Sequence, residues 1–294
     1  MNQTKSCKRN LVVVRAGEKS LHPGWLSNPY NKRSFDLVVS YFSQTAFDAH
    51  VEVEGVTRVL HVGGKWDGLH KTLTGMNWED YDFFWLPDDD IETDGDVIDT
   101  MFQMANNHGL AVCQPSLSRQ SYFTHFIFSQ CRDFRLRYTN HIEIMVPCLN
   151  RAMLQRVLPE FKDTMSGFGL DYIWCRLEES RGYRAAILDA ISVFHTRPIG
   201  GSLKKTIATT GTTSQDEEII LQEAYGLKER VVPIAYAGIS AKGVPIAGRY
   251  SMANAMALSW KKDLKDFRDP REARWKMLQI YKRQLIKPLD MSPL

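Results

Sequence analysis

The feature that most constrains this chain is Tyr81 to Ile91, YDFFWLPDDDI, an aromatic run that stops in three consecutive carboxylates. Such a short, dense apolar segment reads as a buried strand. Three adjacent carboxylates at its end repel one another unless water or a cation neutralises them, and a divalent cation serves several at once. On extended backbone, residues two apart point the same way, so Asp88 and Asp90 can share one ion while Asp89 faces away. The alternative is an exposed acidic turn, because charge runs are commonly solvated. The buried strand leading into this one favours a site.

Around it the chain reads as an α/β protein. Asn10 to Arg15 (NLVVVR), Phe35 to Phe42 (FDLVVSYF) and Val56 to Val62 are strand-like, and Lys65 to Met76 follows a Gly63–Gly64 turn with helical apolar spacing. Val97 to Asn107 reads as an amphipathic helix. Leu110 to Val112 reads as a short strand stopped by Gln114 and Pro115, and His141 to Val146 as another strand. A helix over Asn150 to Val157, a second over Tyr172 to Glu179 and a strand over Ala185 to Phe194, closing at His195, complete a first unit. After Gly200 and Gly201 a Thr/Gly/Ser-rich stretch marks a boundary, giving units 1–201 and 202–294. The second carries a helical tail from about Met252 to Leu285, split at Pro270.

Composition removes several function classes. Lys+Arg exceed Asp+Glu by only three, which argues against a surface built to neutralise nucleic-acid phosphates. The five cysteines include no CxxC pair, which gives neither a zinc site nor a disulfide framework. Neither a secretory apolar region nor a run long enough to span a membrane is read, so a cytoplasmic protein is expected. GxGxxG, GxxxxGK[ST], GxSxG and HExxH are all missing.

Other residues extend the site hypothesis. His195, at the end of its strand, would complete a mixed N/O ligand set with Asp88 and Asp90, suited to Mn²⁺ or Mg²⁺. Asp171, after two glycines at a helix start, is either a helix cap or a general base. Arg15, Lys65 and Lys71 lie beside glycine turns, where cations could meet a diphosphate. The tail from Trp260 to Lys287 holds ten Lys/Arg and four Asp/Glu interleaved with apolar residues. It reads as core-packed helices with a charged outer face or as a peripheral contact with anionic lipid at the inner face of the membrane.

The order of these motifs resembles that of GT-A nucleotide-sugar glycosyltransferases over roughly residues 9 to 201. More closely, KW at Lys65, DDDI at Asp88, QPSL at Gln114, IEIMVPCLNR at Ile142, GLDY at Gly169 and the strand-end His195 resemble a plant and bacterial family of that fold with no assigned activity. The resemblance implies a single Rossmann-like mixed sheet flanked by helices, with a C-terminal helical extension. It further implies that Asp88, Asp90 and His195 hold Mn²⁺ or Mg²⁺ on the donor diphosphate and that Asp171 is the base of an inverting transfer. Val14, Arg15, Ala16 and Gly17, together with Lys65, Lys71 and Asp89, would meet the nucleotide sugar. Gln114, Glu143 and Trp174 would face the sugar or acceptor, a glycan or glycolipid of surface-polysaccharide type. The chain departs from the common pattern where Tyr41, Phe42 and Ser43 stand in place of a nucleobase-contacting Asp, and where Leu170 precedes the base. The competing classes are a nucleotidyltransferase on a related fold and a non-catalytic glycan-binding protein.

Overall fold

The computed structural model describes residues 8–162, 164–198, 213–289, 291 and 294. In chain order the strands are β1 (Asn10–Ala16), β2 (Phe35–Tyr41), β3 (Val56–Leu60), β4 (Phe83–Trp85), β5 (Ile91–Glu92), β6 (Val112–Leu117), β7 (Phe134–Thr139), β8 (Cys148–Asn150), β9 (Ala185–His195), β10 (Ala235–Ser240) and β11 (Pro245–Ala247). The helices are α1 (Gln44–Ala49), α2 (Lys65–Thr74), α3 (Gly95–Asn107), α4 (Arg151–Val157), α5 (Leu170–Ile173), α6 (Ser214–Ala224), α7 (Arg249–Lys262) and α8 (Pro270–Ile286).

Ten strands form one mixed sheet in the order β11-β10-β7-β9-β6-β8-β4-β1-β2-β3, and β5 pairs with the far end of β9. Strand alternation divides β1 between two cores. Val12, Val14 and Ala16 pack with α3, α7 and α8 on one face, and Leu11 and Val13 pack with α2, α4 and α5 on the other. The result is a helix–sheet–helix sandwich. Burial of Ile98, Met101 and Phe102 along one stripe of α3 stabilises that layer by about 1.5–3 kcal/mol per side chain.

β1 pairs in parallel with β2 on one side and with β4 on the other, and the connections leaving the carboxyl ends of β1 and β4 run in opposite directions across the sheet. A crevice at such a switch point is where open α/β sheets bind ligands. Here that position falls between Gly17, after β1, and Asp88, Asp89 and Asp90, after β4.

Four elements differ from the sequence reading. β6 runs on through Pro115 to Leu117, because its register with β9 jumps from Pro115↔Leu188 to Ser116↔Ser192 and spares the ring a ladder partner. His141 to Val146 is irregular chain, its polar backbone groups held by side chains: Glu143 N–H donates to Gln114 Oε1 at 2.7 Å and Trp85 Nε1 to the Val146 carbonyl at 3.2 Å. The helix expected over Tyr172–Glu179 ends at Ile173, because Ile173 to Leu177 are five consecutive buried residues that no single helical face can bury. The tail contains the two expected helices, with Pro270 opening the second, and also adds β10 and β11 to the main sheet. The Gly200–Gly201 boundary and most of the Thr-rich stretch lie outside the described residues.

Candidate active site

Asp88, Asp90 and His195 converge at the carboxyl ends of β4 and β9. Antiparallel pairing of Ile91 with His195 brings the two segments side by side, and the Thr196 N–H and hydroxyl donate to the Asp90 carbonyl at 3.1 and 2.9 Å. One ligand atom from each of Asp88, Asp90 and His195 lies within 4.8 Å of the others. Asp89 turns away, accepting the Gly17 N–H at 2.8 Å and Arg197 Nη1 at 3.2 Å, which stitches the two sides of the crevice together.

The donor chemistry fits a hard divalent cation. His195 Nδ1 lies 2.8 Å from the Tyr122 carbonyl, which can only accept, so Nδ1 carries the proton and Nε2 points at Asp90 Oδ2, 3.3 Å away. A metal-binding histidine is oriented in this way. Asp90 Oδ1 is buried with no donor, the mark of a carboxylate built for a further partner. A positive side chain also lies against the carboxylates. Lys65 Nζ lies 2.6 Å from Asp88 Oδ1 and also donates to the Ile144 carbonyl at 2.7 Å. Burial works to lower the His195 pKa, but the hydrogen bond and charge of Asp90, with Tyr122 and Asp88, outweigh it and raise it.

A second acidic group lies beside the first. Glu143 is buried, accepts the His125 N–H at 3.3 Å through Oε1, and leaves Oε2 unpartnered. Burial pushes its pKa up to about 8, against the pull of the His125 N–H and His195, with Asp171 and Asp88 adding to the rise. Asp171 Oδ2 lies 3.3 Å from Nε2 of the fully buried His141, and Asp171 Oδ1 has no partner. Gln114 lies buried beneath this group, carrying Glu143 on its side-chain oxygen.

Other residues singled out in the sequence sit elsewhere. Val14 and Ala16 are core side chains, and the Arg15 guanidinium is buried against the carbonyls of Ser40, Tyr41, His61, Gly63 and Gly64. Arg15 therefore braces the turn before α2, with no N–H left for a diphosphate. Gly68 makes room for it, since a Cβ there would fall 2.3 Å from the guanidinium. Lys71 pairs with Asp67 at 3.2 Å on the exposed side of α2. Trp174 is wholly buried, donating to the Ile142 carbonyl at 3.0 Å, so it supports the site loop from below and has no open face for a sugar. The sequence reading did not assign His141, Tyr122 or Arg197 to the site. His125 and His141 read from the sequence as structural or acceptor-side residues with no assigned role.

No family model matches the chain, and no curated protein sequence matches it. Among solved structures it is similar to residues 1–349 of Staphylococcus aureus TarS in complex with UDP-GlcNAc, at 10% identity over 94% of this chain and 90% of that one, with a TM-score of 0.46. The same TarS fragment alone gives 12% identity and a TM-score of 0.41, and with UDP 11% and 0.40, at the same coverage. At these scores the likenesses carry no functional argument, and the chemistry rests on the site itself.

Proposed function

We propose that this protein is a metal-dependent glycosyltransferase that moves a sugar from a nucleotide-sugar donor to a hydroxyl of a glycan or glycolipid acceptor, with inversion. The observation that carries this reading is the convergence of Asp88, Asp90 and His195 at the sheet's switch point, with atoms open to a cation and a second acidic group beside them.

Asp88, Asp90 and His195 would hold Mn²⁺ or Mg²⁺, which when bound offsets the charge developing on a departing nucleoside diphosphate. Lys65, anchored on Asp88, offers a further positive charge to the donor phosphates. Asp89 holds the segments after β1 and β9 together through Gly17 and Arg197. Glu143, with a pKa of about 8, is largely protonated near neutral pH and can donate its O–H to a sugar or acceptor hydroxyl. Asp171 is the base: as the acceptor oxygen bonds to the anomeric carbon and the bond from that carbon to the diphosphate oxygen breaks, the hydroxyl proton passes to its carboxylate. His141 Nε2 lies on the buried side of Asp171, 3.3 Å from its Oδ2, without a hydrogen bond to it. In this reading units 1–201 and 202–294 divide the work, the first holding donor and base and the second flanking the acceptor side.

Thermal unfolding of the purified protein with UDP, GDP, CMP and their sugar conjugates, in Mn²⁺, Mg²⁺ or EDTA, tests this. One nucleotide at about 100 times its Kd should stabilise the fold by roughly 2.7 kcal/mol only with metal, and Asp90→Asn should erase that gain without lowering the ligand-free melting temperature. Failure of every nucleotide with metal present, or an unaltered shift in Asp90→Asn, overturns the reading.

A further inference from the structure

α8 turns Ala273, Met277, Ile280 and Gln284 inward. Its opposite face carries Arg271, Arg274, Trp275, Leu278, Lys282 and Ile286, which fall on one stripe at helical spacing and are all exposed. Trp275, Leu278 and Ile286 expose 55%, 58% and 63% of their surface. Single exposed apolar residues are ordinary, but three interleaved with three cations on one helix face are the pattern of a helix lying in a lipid headgroup layer. From Ala273 to Lys287 the chain has five basic residues, Arg274, Lys276, Lys282, Arg283 and Lys287, and no acidic one. A second copy of the chain would set these cations against themselves, so the charge calls for an anionic occupant. Among the described residues no helix is long and apolar enough to cross a membrane, which leaves a contact in the plane of the surface.

The loop before α8 and the inner flank of that helix reach toward the site. In the loop between α7 and α8, the Arg268 guanidinium lies 3.4 Å from the centre of the Tyr122 ring, and the Tyr122 carbonyl orients His195. Lys276 and Arg283, on the flank of α8, bear electrostatically on His125, whose N–H holds Glu143. We propose that the outward face of α8 docks on an anionic phospholipid surface, which places the acceptor side of the crevice at the bilayer.

The test needs neither donor nor metal, so it succeeds or fails independently of the transferase reading. The full chain is sedimented with phosphatidylcholine vesicles, with and without phosphatidylglycerol, at low and high salt. Expected is binding to the anionic vesicles that salt weakens, a loss of about tenfold or more in Arg274→Glu with Lys282→Glu, and a smaller loss in Trp275→Ser, with melting temperatures unchanged because these side chains are exposed. No binding to anionic vesicles, or equal binding by the charge-reversed variant, overturns the proposal. A dimer by light scattering that Trp275→Ser dissolves would assign the face to a second copy instead.

Discussion

Asp189 and Asp90 are both buried carboxylates beside β9, each next to a nitrogen base, and the protein treats them in opposite ways. Asp189 sits where β9 leaves its register with β6, and Arg137 Nε and Nη2 reach its two oxygens at 2.7 and 3.0 Å. The Cys131 N–H adds a bond at 2.8 Å, and the remaining Arg137 nitrogen donates to the Ile127 carbonyl at 2.7 Å. Every charged atom of that pair has a partner. Around Asp90, by contrast, Asp90 Oδ1 and Asp171 Oδ1 are buried acceptors without donors among the described residues, and Glu143 Oε2, on a carboxyl that burial holds largely protonated, has no partner either. A charge that serves the fold is closed off, because an unpartnered buried group costs about 1–3 kcal/mol. Charges that serve a ligand are left open, and the fold bears that cost.

The comparison can be broken in three ways. The largest effect is expected in the open cluster: Asp171→Asn should slow sugar transfer by about 10² to 10⁴ while metal-dependent donor binding stays intact. Steady-state rates and donor affinity measured side by side decide this, and unchanged transfer removes Asp171 as the base. Next, Arg137→Leu leaves Asp189 buried and unpaired, and should cost about 3–5 kcal/mol in urea unfolding. A loss below about 1 kcal/mol would mean that the closed pair is not what holds β7 and β9 together.

The third expected effect is the pH dependence of Glu143. Its folded pKa is raised from 4.5 to about 8, so its contribution to stability is full below the unfolded value and is lost as pH rises from 4.5 through about 8. Glu143→Gln, which does not titrate, should therefore gain on the wild type by up to a few kcal/mol between about pH 5 and pH 9 in metal-free protein. A pH-independent difference between the two would show that Glu143 is not held neutral by burial.

Local order made much of the architecture legible. The β-branched and aromatic runs of β1, β2 and β4 announced strands, the spacing of Trp66, Leu69 and Leu73 announced α2, and Pro270 marked the start of α8. Alternation along extended chain likewise separates Asp89 from Asp88 and Asp90. Apolar content misled where it had no period. His141 to Val146 reads as a strand from its apolar content, yet it is irregular because its polar groups find side-chain partners far along the chain, such as Gln114 and Trp85. Arg15 looked free for a phosphate because nothing local shows five distant carbonyls gathering around it.

By itself, then, the sequence determined which segments extend, which coil, and which carboxylates share a side, since those follow from backbone periodicity within a few residues. Only the tertiary structure decided which charges are closed and which stay open. Asp90 meets His195, Arg137 meets Asp189, and Asp171 meets His141. These partners lie tens of residues apart, and it is the packing of β4, β7 and β9 into one sheet, with α5 against its face, that brings them together.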